Sequence, residues 1–363
     1  MKKRYILFYL SYIIILLIIL EFASRAIIPG YQRSIKSYDS QLVWKYVPNS
    51  RFNSISGSGI ISINHLGFRD SNHPLENKNN STRILFIGDS YTVGLSVSES
   101  DTFPRYLETK LNQNKTKRYE VFNFGISAYA TDQEYIVLKN IGLRYNPDIV
   151  VLTVAPNDIR EAYVKRLFYL DNGKLKLDKE NKAFNLNLKD RFLWYLSRKS
   201  ELFFTLQQFV ELNYGTSNHI FNHVTYGVFF HENKGYDVDQ ILFLKNETNE
   251  MKNATKLFNV LIEEINNLCL NNNCGLVIIN LPTKMQFDGI LKKDSFDLLK
   301  IQKILKNITS KNNITFLDLY SKINNSLDPL AYYIDTEYHL NKEGHELVAN
   351  ELYDFLIKNH LIK

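Results

Sequence analysis

The stretch Arg83-Ile84-Leu85-Phe86-Ile87-Gly88-Asp89-Ser90-Tyr91-Thr92 decides how this chain folds, because an apolar run ends abruptly at Gly-Asp-Ser. We predict a buried β-strand whose C-terminal end presents a serine on a tight loop. In open α/β sheets, ligands bind beside the carboxyl ends of the strands. Ser90 is therefore a candidate nucleophile, provided that other segments supply a base and an oxyanion site.

Strand and helix patterns alternate from this stretch onward. The predicted strands cover residues 83–88, 119–123, 148–154, 276–281 and 314–318. The predicted helices cover residues 102–113, 132–143, 251–270, 293–309 and 342–358. Such alternation favours a parallel sheet that is covered by helices on both faces.

The composition is that of a globular protein and argues against nucleic acid as a partner. Of the 363 residues, 45% are apolar and 23% are charged, which is an ordinary balance. The net charge of +6 comes from lysines that are scattered among Asn and Glu. A nucleic-acid-binding protein would cluster its basic residues on one face, so we expect no nucleic-acid partner.

The N-terminus is unlike the rest of the chain. The basic cluster Lys2-Lys3-Arg4 precedes the apolar run Tyr5–Leu20, which with the residues after it approaches the roughly 20 residues that span a bilayer. We predict a signal-anchor over residues 1–28, with a cytoplasmic N-terminus and the rest of the chain periplasmic or extracellular. A cleaved signal peptide is the alternative, although Ser24-Arg25-Ala26 is a poor cleavage site.

Two further regions follow the predicted anchor. Residues 29–82 combine polar stretches with short apolar pieces and are interpreted as a linker and a small β-rich extension. Residues 83–363 are interpreted as the catalytic domain. Within it, the long gap at 159–250 is predicted to be a mostly helical insertion or cap, because a structureless loop of that length is improbable in a compact domain.

The cysteines and histidines do not indicate a metal site. Cys269 and Cys274 lie in a short helix-to-strand turn, where a disulfide and two buried thiols are both compatible with the sequence. Two cysteines cannot form a four-ligand zinc site alone, and no histidine lies near them. The spacing of His219, His223 and His231 resembles no metal-ligand pattern, and we predict that these side chains lie at the surface.

Three more segments have polar or glycine residues where a strand ends or a helix begins. The strand Val121-Phe122-Asn123-Phe124-Gly125-Ile126-Ser127 ends in glycine, and the strand beginning at Ile149 ends in Asn157-Asp158. The segment Asp335–His345 opens the last helix and contains His339. A doubly wound sheet would bring all these ends to one rim, together with Gly-Asp-Ser.

With these four segments in this order over residues 83–345, the chain resembles the SGNH (GDSL-like) hydrolase family. The segment Ile63-Asn64-His65-Leu66-Gly67-Phe68-Arg69 is similar to one that precedes the catalytic domain in membrane-anchored members. The resemblance implies a three-layer α/β/α, flavodoxin-like fold with a parallel sheet. It also implies that the enzyme uses no metal and no diffusible cofactor.

The resemblance implies a role for each residue in these segments. Ser90 would be the nucleophile and His339 the base, because a serine hydroxyl needs an adjacent group to take its proton. The main-chain N–H of Ser90, that of Gly125 and the side-chain amide of Asn157 would form the oxyanion hole. Losing one such donor typically costs about 3–4 kcal/mol in the transition state.

The acid partner of His339 departs from the family's pattern. Family members usually have Asp three residues before the histidine, and some exported relatives have it two residues before. This chain has Thr336 and Glu337 at those two positions, with Asp335 one residue further away. By analogy we assign the orienting carboxylate to Glu337, and Asp335 is the alternative.

These features predict a membrane-anchored serine esterase that hydrolyses O-acyl groups through an acyl-serine intermediate. An acylated glycan, with O-acetyl groups in the cell envelope, or a small ester would be its substrate. An O-acyltransferase to a glycan is the first alternative, and related exported acyltransferases receive the acyl group from a membrane-bound donor protein. A non-catalytic glycan-binding protein that keeps an unused site is the second alternative.

Overall fold

The computed structural model describes residues 2–27, 36–53, 59–77, 80–113, 117–181, 187–206, 240–291, 294–335 and 338–362. The chain forms two compact units. The first comprises residues Met1–Val47 and Lys182–Val228, and the second comprises residues Pro48–Asn181 and Phe229–Lys363.

Strands and helices alternate through most of the chain. The strands are β1 Lys36–Asp39, β2 Val43–Tyr46, β3 Arg51–Asn53, β4 Ile60–Ser62, β5 Thr82–Gly88, β6 Tyr119–Gly125, β7 Ile149–Val154, β8 Phe168–Asp171, β9 Lys174–Leu177, β10 Gly275–Asn280 and β11 Thr315–Asp318. The helices are α1 Lys2–Ile27, α2 Ser90–Val93, α3 Phe103–Leu111, α4 Thr131–Asn140, α5 Pro156–Lys165, α6 Leu188–Lys199, α7 Asn249–Asn271, α8 Lys300–Lys311, α9 Tyr320–Asn324 and α10 Lys342–Lys358. Residues 201–206 are also helical.

A five-stranded parallel sheet forms the centre of the second unit. Its strand order is β11-β10-β7-β5-β6, and every neighbouring pair is parallel. Numbered along the sheet's own chain order, this is the 2-1-3-4-5 order of flavodoxin-like folds. The order reverses between β5 and β7, so a crevice for ligands is expected at the carboxyl ends of these two strands.

Helices cover both faces of this sheet, as its buried strands require. On β5, Ile84 and Phe86 share a core cluster with residues of α3 and α10, while the alternate residues Leu85 and Ile87 are fully buried on the opposite face. Helix α3 packs against α10, and α7 packs against α4 and α5. The predicted three-layer α/β/α fold with a parallel sheet is confirmed.

Most predicted elements of the sheet domain have observed bounds within two or three residues of the prediction. The helix predicted over 293–309 begins only at Lys300, because the residues before it form turns. There, the Asp297 carboxylate accepts a hydrogen bond of 3.1 Å from the main-chain N–H of Leu299, and Phe296 pairs with Leu244 in an isolated antiparallel bridge.

The region predicted as a mostly helical insertion contains strands as well. Strands β8 and β9 form an antiparallel hairpin that turns at Asn172 and Gly173, both of which have positive φ. Helix α6 and the helical residues 201–206 follow, whereas His219, His223 and His231 lie outside the described residues. Cys269 and Cys274 are both buried, free thiols.

The first unit contains the helix predicted as an anchor. Within α1, the 19-residue segment Phe8–Ala26 is long and apolar enough to cross a membrane, a test that a signal sequence also passes. The unit also contains the antiparallel pair β1–β2 and helix α6. In the second unit, β3 and β4 form another short antiparallel pair.

Candidate active site

Ser90 lies where β5 passes into α2, at the carboxyl edge of the sheet. The strand ends at Gly88, and Asp89 caps the helix by accepting a hydrogen bond of 2.9 Å from the main-chain N–H of Tyr91. A Cβ atom at Gly88 would collide with the hydroxyl groups of Thr92 and Thr153, so this turn requires glycine. The turn leaves the Ser90 side chain half-buried at the rim of the sheet.

His339 is brought to Ser90 from a segment far along the chain. Its Nε2 atom lies 2.9 Å from the Ser90 Oγ atom, which is hydrogen-bonding distance. The Tyr91 hydroxyl donates a hydrogen bond of 2.7 Å to the carbonyl oxygen of Tyr338, the residue before the histidine. Tyr91 therefore ties the helix that begins at Ser90 to the loop that carries His339.

Two further sets of contacts restrain the loop that carries His339. Tyr333 and Leu340 pair in an antiparallel bridge at its two ends. The ammonium group of Lys284 donates hydrogen bonds to the main-chain carbonyl oxygens of Ile334, at 2.8 Å, and of Asp335, at 2.7 Å. These contacts restrain the main chain on both sides of the histidine, which keeps the imidazole within reach of the serine.

Of the two candidate acid partners of His339, the structure describes only Asp335. Glu337 lies outside the described residues. Asp335 is exposed, and within the described part of the chain its carboxylate makes no hydrogen bond to His339. The assignment of the orienting carboxylate to Glu337, with Asp335 as the alternative, stays a prediction.

Asn157 lies at the beginning of α5, beside the switch point of the sheet. Its side-chain Nδ2 donates a hydrogen bond of 3.1 Å to Oε1 of Glu161, one turn further along the helix. Its side chain is also hydrogen-bonded to the Asp89 carboxylate. The amide predicted to stabilise an oxyanion is therefore held between two carboxylates in the absence of substrate.

Gly125 ends β6 directly beside the turn that carries Ser90. A Cβ atom at this position would lie 2.7 Å from both the Thr92 Cβ and the Val93 main-chain nitrogen, so glycine allows α2 to approach the strand. The main-chain N–H of Gly125 donates a hydrogen bond of 3.1 Å to the Asn123 side chain. A substrate oxyanion at Gly125 would have to compete with that bond.

Ala128, in the loop after β6, is a candidate that sequence reasoning missed. It has a left-handed main-chain conformation with φ of 63°, which is uncommon for a residue with a Cβ. Its main-chain N–H donates no hydrogen bond within the described chain, although the residue is half-buried. Strained backbone is often found at functional sites, so this N–H is a second candidate for the donor assigned to Gly125.

The loop at Ala128 and the side chain of Asn157 are linked through one buried lysine. The Lys165 ammonium group donates to the Ala128 carbonyl oxygen at 2.6 Å and to Glu161 Oε2 at 2.7 Å. The other carboxylate oxygen of Glu161 accepts the bond from Asn157. Residues 157, 161 and 165 are spaced by four, which places all three on one face of α5.

Four carboxyl groups are buried beneath this rim. Burial raises the pKa of Asp89 to about 6 and that of Asp132 to about 7. Burial also raises the pKa of Glu134 and of Asp158 well above their usual values, with further contributions from repulsion by neighbouring carboxylates. Nothing in the described chain groups three metal-ligating side chains as a metal site would.

Arg69 is a second feature whose role the sequence did not reveal. The buried guanidinium group donates to the carbonyl oxygens of Val93, at 3.1 Å, of Gly94, and of Val97, at 2.7 Å. It therefore secures the end of α2, the helix that begins with Ser90. The only signal in the sequence was the family-like segment that ends at this arginine.

His345 is packed behind the same helix end. Burial, with a further contribution from the nearby charge of Arg69, lowers its pKa to about 3. The main-chain N–H of Phe103 donates a hydrogen bond of 3.3 Å to its Nδ1 atom, which fits a neutral ring. His345 therefore supports the packing of α3 and α10, and within the described chain the imidazole that is hydrogen-bonded to Ser90 is that of His339.

Part of the chain matches a known protein family. Residues 86–211 match the GDSL-like Lipase/Acylhydrolase family. The segment that carries Ser90, Gly125 and Asn157 is thus similar to this family of lipases and acylhydrolases. A search of the curated proteins found no match.

Solved structures with similar folds are distant in sequence. They include a lipase/acylhydrolase from Enterococcus faecalis, with 12% identity over 76% of this chain and 94% of that chain and a TM-score of 0.41. A GDSL-like lipase from Bacteroides thetaiotaomicron has 14% identity over 77% and 89% and a TM-score of 0.39. An acetylxylan esterase from Geobacillus stearothermophilus has 13% identity over 76% and 94% and a TM-score of 0.42.

Proposed function

We propose that this protein is a serine esterase that hydrolyses O-acyl esters through an acyl-Ser90 intermediate. The observation that carries the proposal is the 2.9 Å separation between His339 Nε2 and Ser90 Oγ. A nucleophile and a base within hydrogen-bonding distance are the minimum machinery for covalent acyl transfer. Their position at the switch point of a doubly wound sheet, where ligands bind, supports the same reading.

In the first half of the reaction, His339 Nε2 accepts the proton of the Ser90 hydroxyl as Oγ attacks the acyl carbonyl carbon. The resulting tetrahedral intermediate collapses, the ester C–O bond breaks, and the leaving alcohol takes the proton from His339. The acyl group remains on Ser90 Oγ. In the second half, His339 takes a proton from water, the hydroxide attacks the acyl carbon, and free acid leaves as Ser90 regains its proton.

Negative charge on the former carbonyl oxygen needs donors that are already in place. We infer that the main-chain N–H of Ser90 and the side-chain amide of Asn157 supply two of them. Gly125 is the predicted third donor, and Ala128 is the competing one because its N–H is not used within the described chain. Glu337, or alternatively Asp335, would hold the His339 ring in the correct tautomer.

We infer that the enzyme works on the outer side of a membrane, on O-acyl groups of envelope glycans or on small esters. Support for this compartment comes from the apolar segment Phe8–Ala26 of α1 and the basic cluster before it. An extracytoplasmic enzyme that is tethered by such a helix meets envelope polymers at high local concentration. O-acetyl is the acyl group that we regard as the first to test.

The test uses the full chain purified in detergent, with p-nitrophenyl acetate as the substrate. Ser90→Ala and His339→Ala should each lower kcat by about 10³-fold or more, because the nucleophile and its base act as one unit. Ser321→Ala, at an exposed position on α9, is the matched control and should leave kcat unchanged. Full activity in Ser90→Ala would refute the proposal.

A second assay separates hydrolysis from transfer. The enzyme is incubated with an activated acetyl donor and envelope oligosaccharides, and the products are identified by mass spectrometry. Free acetate as the main product supports the esterase. Acetylated oligosaccharide as the main product would instead indicate an O-acyltransferase with the same acyl-Ser90 intermediate.

A further inference from the structure

Helix α6 exposes a stripe of large apolar side chains. The exposed fractions are 85% for Leu188, 59% for Phe192 and 54% for Tyr195. These residues are four and then three positions apart, so they lie on one face of the helix. Lys199, four positions further on, is also exposed and ends the same stripe. Large apolar side chains that share one face of a helix and are exposed to water mark a site of interaction with a protein or a membrane.

The end of α6 is hydrogen-bonded to the end of α1, which belongs to the same compact unit. The Arg25 guanidinium group donates a hydrogen bond of 2.7 Å to the carbonyl oxygen of Lys199. Glu21, which pairs with Arg25 at 2.7 Å, accepts a bond of 2.7 Å from the Ser200 hydroxyl and bonds of 3.0 and 3.1 Å from the next two main-chain N–H groups. This carboxylate caps the helical residues 201–206.

These contacts fix the depth of α6 relative to the apolar segment of α1. At a rise of 1.5 Å per residue, the apolar run Tyr5–Leu20 is about 24 Å long, and the segment Phe8–Ala26 that contains its end is about 28 Å long, close to the thickness of a hydrocarbon core. Glu21 and Arg25 lie in the last two turns of that segment, within about 8 Å of its C-terminal end. Because charged groups are costly in the hydrocarbon core, this pair belongs at the headgroups, and the end of α6 that it holds belongs at the same depth.

We propose that α6 is an amphipathic helix that docks on the membrane surface beside α1, with Leu188, Phe192 and Tyr195 inserted among the lipids. This inference rests on α1 crossing the membrane, which is part of the proposed function. Tyrosine is suited to the interface because its ring is apolar and its hydroxyl is polar.

The charged side chains of α6 also favour a lipid surface as the partner of the apolar stripe. Lys189 and Arg191 flank the stripe and Lys199 ends it, and all three are exposed. Basic side chains beside an apolar stripe are typical of helices that lie on anionic membranes, where the ammonium groups reach the headgroups. A lipid surface is therefore the favoured partner, and a second copy of the chain is the alternative that the experiment must exclude.

The experiment reconstitutes the full chain in vesicles of phosphatidylcholine and phosphatidylglycerol, with a fluorescent NBD label on a single introduced cysteine. Phe192→Cys and Tyr195→Cys report on the stripe, and Ile15→Cys reports on the middle of α1. Lys306→Cys, at an exposed polar position on helix α8, is the matched control for the labels on the stripe. Signal from the unmodified chain, whose two cysteines are buried, is subtracted.

Lipids that carry a nitroxide near the headgroup should quench the labels at 192 and 195 at least about threefold more than the label at 306. The quenching should not depend on the ratio of protein to lipid. Equal quenching at 192, 195 and 306, with strong quenching of Ile15→Cys by a deep nitroxide, would overturn the α6 proposal and leave the anchor intact. Loss of quenching at residue 15 would reject the anchor itself. If quenching of the label at residue 192 falls as the ratio of protein to lipid rises, the stripe binds a second copy of the chain, and the proposal is overturned.

Discussion

The Lys165 ammonium group donates a hydrogen bond of 2.6 Å to the carbonyl oxygen of Ala128, so the last turn of α5 holds the loop that follows β6. Ala128 has φ of 63°, a conformation that costs an alanine roughly 1–2 kcal/mol. The charge-assisted bond from Lys165 offsets part of this cost. Through Glu161, the same lysine restrains Asn157, so one ammonium group couples two sides of the candidate oxyanion hole.

Lys165→Met should lower kcat about tenfold or more with a smaller change in KM, because the variant keeps the apolar stem but releases both the Ala128 loop and Glu161. The measurement is steady-state kinetics with p-nitrophenyl acetate on folded protein, verified by circular dichroism. Lys139→Met, at an exposed position on α4, is the control and should retain activity. An unchanged kcat in Lys165→Met would show that the hydrogen bonds of Lys165 to Ala128 and Glu161 do not position the candidate active site.

Asn157→Ala should lower kcat by about 10²–10³-fold, the usual cost of losing one oxyanion donor. The side chain is also bonded to Asp89 and Glu161, so a purely structural role would lower stability and activity together. Measuring urea denaturation and kcat on the same preparation separates the two effects. A loss of stability without a loss of kcat would remove Asn157 from the oxyanion hole.

Glu337→Gln and Asp335→Asn form a matched pair for the acid partner. If Glu337 orients His339, its substitution should lower kcat by several hundredfold or more, whereas Asp335→Asn should change it less than about threefold. The exposed position of Asp335, whose carbonyl is already held by Lys284, favours this outcome. The reverse pattern in kcat would assign the role to Asp335 and correct the prediction.

The buried carboxyl of Asp132 should make the protein less stable as the pH rises. Burial raises its pKa from 3.8 to about 7, so between these values the folded chain binds more protons than the unfolded chain. The contribution of Asp132 to the free energy of unfolding is therefore fully present below about pH 4. It is lost as the pH rises through 7, an effect on the order of 1–4 kcal/mol. Asp132→Asn should flatten the fall in unfolding free energy between pH 5 and pH 8. An identical pH dependence in the variant and the wild type would show that Asp132 is ionised throughout.

The placement of Ser90 and Asn157 at the carboxyl ends of neighbouring strands could be predicted from the sequence because it follows from strand patterns. Both residues come directly after buried strands, and the parallel order brings the ends of β5 and β7 together. His339 followed from the resemblance rather than from periodicity. The hairpin β8–β9 has a strong signal in the sequence, Asn172-Gly173 between alternating residues, which the prediction of a mostly helical insertion did not use.

Ala128, Lys165 and Arg69 could not be predicted because their roles depend on contacts across the fold. The left-handed conformation of Ala128 leaves no trace in the sequence, where glycine or asparagine would have been the usual signal. Lys165 looks like any charged residue on a helix until the loop after β6 is placed against it. The burial of Arg69 arises from three carbonyl oxygens that converge after α2, which only the folded main chain reveals.

The central claim is that Ser90 is an activated nucleophile, and covalent labelling tests it most directly. The full chain is treated with a fluorophosphonate and the adduct is located by peptide mass spectrometry. We predict a single adduct on the Ser90 peptide, its formation slowed at least about 100-fold in His339→Ala and unchanged in Ser321→Ala. An unlabelled chain, or an adduct that persists in Ser90→Ala, would contradict this account.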